Sequence, residues 1–301
     1  MISDIIIFSV SLSANIPTLK ISIPIIFKLY DPKKYVVIVP DAQFNEFLIL
    51  KSINDKIELI KESHILDYID FEEIRVEYNL VDSDSKNRSK WYYQQALKIA
   101  YPLINHNGNH NFIMIDADTI ILKKINFFKN HKSKLYGSLL ESHSEYYETL
   151  SAIFKREITS KMGFTTQFFS CTPSEIDNLV KLLSKFIAPC EKHSVAKWVS
   201  RVILKSCKMV HGTLVGSKFS EQELFGFSNQ IASQMPQSPI VYFRTWGLHF
   251  NLNIFTLFLI KSFGFKHLTF EMRDNNTPSN PKHVLKNIIY LYYIQIKSRF
   301  K

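Results

Sequence analysis

The chain has 301 residues, 46% of them hydrophobic and 14% aromatic, which is enough apolar material for one large buried core and excludes a disordered protein. Lysine and arginine exceed aspartate and glutamate by 37 to 27, a net charge of +10, which favours anionic partners such as nucleic acid, acidic lipid headgroups, nucleotides or phosphorylated sugars. Three cysteines (Cys171, Cys190, Cys207) without Cys-x-x-Cys spacing argue against a disulfide framework or a zinc site and fit a reducing, cytoplasmic compartment. No run is long enough for a membrane span, and residues 1–13 lack the basic segment and cleavage site of a signal peptide.

Residues 5–11 read as a first buried strand whose end carries Ser9, Ser11, Ser13 and Asn15, small polar groups suited either to a base or ribose or to an ordinary turn. Residues 35–39 and 57–60 are further strands, and residues 19–30 and 44–53 between them have helix-like spacing, with Pro24 expected to kink or start the first. Strand alternating with helix implies a mostly parallel α/β sheet. After a polar loop, residues 88–100 read as a helix with Tyr92, Ala96, Ile99 and Leu103 on one apolar stripe, while Trp91, Gln95 and Lys98 line another face. That second face suits a sugar, through indole stacking and hydrogen bonds from amide and ammonium, or it is simply solvated. Residues 105–110 read as a polar turn rather than a metal site.

The run at residues 111–122 is apolar and β-branched, interrupted only by Asp116 and Asp118. A buried central strand ending in two carboxylates places them where open α/β sheets bind ligands. Residues i and i+2 share a side, so the pair can converge on Mg²⁺ or Mn²⁺ and through it on a diphosphate; alternatively Asp116 caps a turn and Asp118 is solvated. Residues 134–140 and 164–170 look like further strands, with Pro173 and Ser174 starting a helix. Ser220 can cap a helix with Glu223 closing a capping box, which leaves Glu221 without a structural explanation. Residues 251–265 have helical spacing, 273–281 form a polar linker, and 284–301 are basic and amphipathic. That last segment suits an anionic membrane surface or a terminal helix docked on the domain.

Lys90-Trp91-Tyr92-Tyr93-Gln94-Gln95-Ala96-Leu97-Lys98, the strand ending in Asp116-Ala117-Asp118, and Phe219-Ser220-Glu221-Gln222-Glu223-Leu224-Phe225-Gly226 follow one another along the chain. Together they resemble a group of bacterial glycosyltransferases of the GT-A fold found among polysaccharide genes. That group's pattern is Gly-Trp-Tyr-x-Gln-Gln, Asp-x-Asp and Phe-Ser-Glu-Tyr-Glu. Lys90 stands here for the usual Gly and Gln222 for the usual Tyr.

The resemblance implies a GT-A domain over residues 1–250 with a helical extension over 251–301. It also implies transfer from a nucleotide-sugar donor, a UDP-sugar favoured, to a saccharide or lipid-linked acceptor of capsule, O-antigen or lipopolysaccharide assembly. The enzyme would be cytoplasmic, with peripheral contact at the inner membrane through its basic tail. Donor contacts fall to Ser9, Ser11, Arg88, Lys90, Trp91, Gln95, Lys98 and Asp116. Mn²⁺ or Mg²⁺ falls to Asp116 and Asp118 with a late histidine, His249 rather than its rival His211. Catalysis falls to Glu221 and Glu223, with Glu221 as the expected general base. A sugar-phosphate nucleotidyltransferase would want a Gly-rich phosphate loop, and residues 9–18 contain no Gly. A nucleic-acid-binding module would gather its basic residues, which here are spread along the chain.

Overall fold

The computed structural model describes residues 4–80, 88–138, 141–189, 194–233, 237–240, 242–246, 261–262 and 264–271. In chain order its elements are β1 (Ile5–Val10), α1 (Ile16–Tyr30), β2 (Lys34–Val39), α2 (Phe44–Phe47), β3 (Ile57–Lys61), α3 (Tyr68–Glu77), α4 (Ser89–Asn105), β4 (Asn111–Ile115) and β5 (Thr119–Ile121). There follow β6 (Phe128–Lys129), β7 (Lys132–Ser133), β8 (Tyr136–Gly137), α5 (Ser144–Phe154), β9 (Phe168–Cys171), α6 (Pro173–Ser184) and α7 (Val195–His211). The last are α8 (Glu221–Ser233), β10 (Ser238–Pro239), β11 (Phe243–Trp246) and β12 (His267–Glu271).

The main sheet has the order β3-β2-β1-β4-β9, parallel except for β9, which pairs antiparallel with β4. Ile6, Phe8, Val36, Ile38, Phe112 and Met114 belong to the core shared with α4, α6 and α7. Their neighbours Ile7, Tyr35, Val37, Ile113 and Ile115 belong to the opposite core, with Leu19, Ile23 and Ile26 of α1. Alternate residues thus enter opposite faces, and because both faces are dry the strands read as unbroken apolar runs.

Every residue of α4 from Gln95 to Leu103 is buried, and so is Tyr92, which completes the expected apolar stripe. At α6 the Thr172 hydroxyl accepts from the Glu175 N–H while Glu175 Oε2 accepts from the Thr172 N–H (2.9 Å), a capping box with Pro173 in the first turn. Pro24 does not divide α1, which continues to Tyr30.

Several segments depart from the expected reading: the strand expected at 134–140 is reduced to β8, the one expected at 164–170 begins only at Phe168, and α5 and α7 were not expected. Residues 44–53 form only one α-helical turn, α2, between 3₁₀ turns; Phe47 and Leu50 are buried, whereas Leu48 and Ile49 are about half exposed. Apolar anchors three apart suit 3₁₀ spacing better than a long amphipathic helix. α3 was not signalled, because exposed Ile69 and Val76 blur the pattern of its buried Phe71 and Ile74. β12 is a strand within the segment expected to be a helical extension; it runs antiparallel to β5 and parallel to β11. Its His267 is fully buried, stacks on Tyr242 (4.5 Å between centroids), and is held by burial at a pKa of about 3. Residues 272–301, with the linker and the basic segment, lie outside the described residues. No described helix is long and apolar enough to cross a membrane.

Candidate active site

β4 stops at Ile115, and a turn closed by the Thr119 N–H donating to the Asp116 carbonyl (2.9 Å) carries the chain into β5. Asp116 and Asp118 therefore sit at the C-terminal end of a central parallel strand. Asp116 caps nothing with its side chain. Its Oδ1 accepts from Lys98 Nζ (2.6 Å) and its Oδ2 from Gln222 Nε2 (3.0 Å). Asp118 is half-buried rather than freely solvated. Burial and the adjacent Asp116 charge push its carboxyl up towards neutrality against the pull of Lys98.

Lys98 is the centre of this arrangement. Carried inward by α4, it also donates to Glu221 Oε1 (2.9 Å). Burial opposes its charge, but Asp116 and Glu221 outweigh burial and raise its pKa, so it is a permanent cation. Gln95, one turn earlier, accepts from the Glu221 N–H (3.0 Å). The Gln95–Lys98 face is thus neither solvated nor open to a sugar: it docks on the start of α8. Trp91, at the outer end of α4, is half-buried, with its ring edge-on to Tyr92 and the Arg88 guanidinium over it at 4.6 Å. Arg88 is exposed and hydrogen-bonds Ser217, and Lys90 is exposed beside it.

The first three residues of α8 point to three different partners. Glu221 meets Lys98. Gln222 Oε1 accepts from the backbone N–H of Thr166 (2.7 Å) and of Gln167 (2.8 Å), while its amide nitrogen reaches Asp116. Glu223 Oε1 accepts from the N–H and hydroxyl of Thr165 (3.2 and 3.1 Å). Ser220 does cap the helix, accepting from the Glu223 N–H (3.3 Å), but Glu223 turns towards Thr165 instead of back to Ser220, so the capping box is only half formed. The sequence assignment of the two glutamates is thereby reversed: Glu221 is accounted for by its ion pair, and Glu223 is the one left over. Its Oε2 is buried with no hydrogen-bond partner among the described residues. Burial pushes its pKa up to about 7 despite the donors at Phe164 and Thr165.

Gly163 makes this approach possible, because a Cβ there would lie 1.6 Å from the Glu141 carbonyl and 2.6 Å from Glu223 Oε1. Glu141 in turn pairs with His143 (3.0 Å) and accepts from the Tyr242 hydroxyl (3.2 Å), which also approaches the Thr165 carbonyl (3.3 Å). A cavity of about 20 Å³ beside Gln222, lined by Phe164, Phe168, Phe169 and Phe225, has room for one water at most.

Other expected positions fare differently. Ser9 is fully buried, shares a hydrogen bond with the Tyr35 hydroxyl (2.8 Å) and donates to the Ile115 carbonyl (2.5 Å); it ties strands together and cannot meet a nucleotide. Ser11 is buried and donates to the Leu12 carbonyl (3.1 Å). His211 bonds Thr149 (2.9 Å) at the C-terminus of α7, a structural role away from the carboxylates. His249 lies outside the described residues. Gln222, Gly163 and Glu141 were not singled out as functional; the one signal was Gln222 standing where the resembled pattern has Tyr.

The donor set at Asp116 and Asp118 fits a hard divalent cation. Both supply carboxylate oxygens, and Asp116 is fixed from behind by hydrogen bonds, as ligating carboxylates generally are. Three carboxyls, Asp116, Asp118 and Glu221, share the one Lys98 cation, and a divalent ion would supply the charge that lets Asp118 ionise against burial and Asp116. Among the described residues no third His, Cys, Asp or Glu joins them, so the remaining ligands would be substrate oxygens or water.

The model of DUF6492, a family of unknown function, matches residues 16–232. The chain belongs to DUF6492. No curated protein matches it. Among solved structures, this DUF6492 chain is similar to the bifunctional glycosyltransferase WbbM (11% identity, TM-score 0.42) over 97% of its own length and 52% of that chain. It thus spans about half of WbbM. It is also similar to the galactosyltransferase LgtC in complex with donor and acceptor sugar analogues (10% identity, TM-score 0.44, 95% of each chain). A third is mouse xyloside xylosyltransferase 1 (12% identity, TM-score 0.39, 92% of this chain and 99% of that one).

Proposed function

We propose that this protein is a GT-A-type glycosyltransferase that moves a sugar from a nucleotide-sugar donor to a saccharide or lipid-linked saccharide of bacterial surface polysaccharide. The observation that carries this reading is the convergence of three sequence motifs. Residues from α4, from the end of β4 and from the start of α8 meet through the hydrogen bonds of Lys98 and Gln222 to Asp116 and of Lys98 to Glu221. Motifs that converge on one point at a strand end are better explained by shared chemistry than by packing alone.

In this reading Asp116 and Asp118 hold Mn²⁺ or Mg²⁺, which supplies positive charge to the donor's diphosphate as it leaves. Lys98 and Gln222 hold Asp116 in place, and Arg88, Lys90 and Trp91 offer an exposed cationic and aromatic edge for the donor. Glu223 is the group suited to take the acceptor's proton, because its Oε2 has no hydrogen-bond partner among the described residues and its pKa of about 7 lets it both lose and accept a proton near neutrality. The acceptor O–H proton would pass to Glu223 as the acceptor oxygen bonds to the anomeric carbon and the bond from that carbon to the diphosphate breaks.

A panel of nucleotide sugars, scored for Mn²⁺-dependent thermal stabilisation and hydrolysis, tests the proposal. One donor that stabilises the protein only with metal present is expected. No response across the panel, with or without metal, would reject it.

A further inference from the structure

We propose that Gln222 is a positioning residue for a divalent cation: its side-chain amide sets the aim of the Asp116 carboxylate by tying it to the Thr166–Gln167 turn. This rests on the reading of Asp116 and Asp118 as cation ligands given above.

Gln222 is 4% exposed, and its amide bonds to Thr166, Gln167 and Asp116, all within the protein. Two backbone N–H groups face its oxygen, so its NH₂ must face Asp116; the partners leave no freedom to flip it. The Asp116 N–H donates to the Gln167 carbonyl (2.9 Å), which closes a ring: Asp116 backbone to Gln167, Gln167 backbone to Gln222, Gln222 amide to the Asp116 carboxylate. Gln167 is a non-glycine residue at φ 68°, a conformation that persists only where its surroundings over-determine it, and the ring does so.

On the other carboxylate oxygen Lys98 performs the matching task at 2.6 Å. Each oxygen of Asp116 is thus gripped once from the protein side, and each retains acceptor capacity for a ligand on the open side. The charged groups facing this carboxylate are Lys98 from α4, Glu221 from α8 through Lys98, and Asp118 from its own turn. Gln222 is the uncharged member, so it constrains direction without changing the charge the cation meets. Because the same amide holds the turn ahead of β9, whose neighbour Thr165 binds Glu223, the cation site and the Glu223 side of the cleft are joined as one rigid unit.

The test is Mn²⁺ binding by the full chain, followed by electron paramagnetic resonance of the free ion, with circular dichroism confirming the fold of each variant. Gln222→Met is expected to weaken Mn²⁺ binding by about 10–100-fold, the usual cost of losing a hydrogen-bond partner of a ligating group, whereas Asp118→Asn should remove binding altogether. Should Gln222→Met fail to fold, Gln222→Asn keeps an uncharged amide but shortens its reach by one methylene, and should weaken Mn²⁺ binding in the same direction. Folded Gln222 variants that bind Mn²⁺ as wild type does overturn the positioning role while leaving the cation site standing. A wild-type chain that binds no Mn²⁺ at millimolar concentration overturns both.

Discussion

β1 and β4 lie side by side, run parallel and end at the same edge of the sheet, yet their ends have been put to different uses. At the end of β1, the Ser9 hydroxyl is wholly spent on Tyr35 and on Ile115 of the neighbouring strand. At the end of β4, Asp116 is hydrogen-bonded just as fully, but its charge is not spent: one Lys98 serves Asp116 and Glu221 together, and Asp118 has no ion pair of its own among the described residues. A neutral hydroxyl can be satisfied by its neighbours, whereas a cluster of carboxylates also needs counter-charge. Position at a strand end therefore nominates both sites, and residual charge selects one.

The sharpest way to break this contrast is Asp118→Asn. Turnover should fall by about three orders of magnitude or more. The metal-free melting temperature should be unchanged or higher, since a half-buried carboxyl whose charge is disfavoured by burial and by Asp116 has been removed. Turnover retained in the presence of metal would place the cation elsewhere.

Glu223→Gln comes next, with kcat lowered by about two to four orders of magnitude and donor binding kept. Wild-type kcat/KM should rise with pH through about 7 as Glu223 loses its proton. Stability runs the other way. Its folded pKa is raised above the ordinary 4.5, so the native state holds the proton more tightly, and the contribution present below about 4.5 is lost as pH rises through about 7. Glu223→Gln should therefore be more stable than wild type at pH 8, by on the order of 1–3 kcal/mol. Equal stability and undiminished turnover would return the role to Glu221.

Lys98→Met sharpens the contrast from the other side by leaving Asp116 and Glu221 without their shared cation. A stability loss of about 3–5 kcal/mol at neutral pH is expected, shrinking in acid as the carboxylates take up protons; denaturant melts at two pH values check it. The smallest effect belongs to Ser9→Ala, about 1–3 kcal/mol of stability with the donor KM unchanged. A raised KM at unchanged stability would restore Ser9 to the binding site.

The parallel sheet was legible in the sequence because strands covered on both faces keep unbroken apolar runs, and Asp116 and Asp118 stood out as the polar interruption of one such run. The faces of α4 were correctly separated, yet the use of the second was not visible: Gln95 and Lys98 look solvated until α8, more than 100 residues later, supplies Glu221. The glutamates were harder still. Ser220-x-x-Glu223 is a capping spacing, and spacing alone cannot reveal that Thr165 competes for the same carboxylate. Ser9 failed for a related reason, since the Tyr35 hydroxyl that occupies it comes from another strand. Local pattern locates elements and oddities; which polar group answers which is decided by contacts distant in sequence.

The pairing of β5 with β12 has a consequence for how the molecule comes into being. Thr119, one residue beyond Asp118, meets Thr269 hydroxyl to hydroxyl at 2.9 Å, across a separation of 150 residues. All five strands of the main sheet precede β12 along the chain, so a ribosome releases them first. Closing so long a loop is entropically costly and slow relative to local pairing. The nascent protein can therefore assemble its sheet, and bring Lys98 to Asp116, while the strand that leaves the carboxylate turn still presents an open edge. Until β12 emerges, that edge is where a stray strand can add, and the carboxylate end closes only after the main sheet.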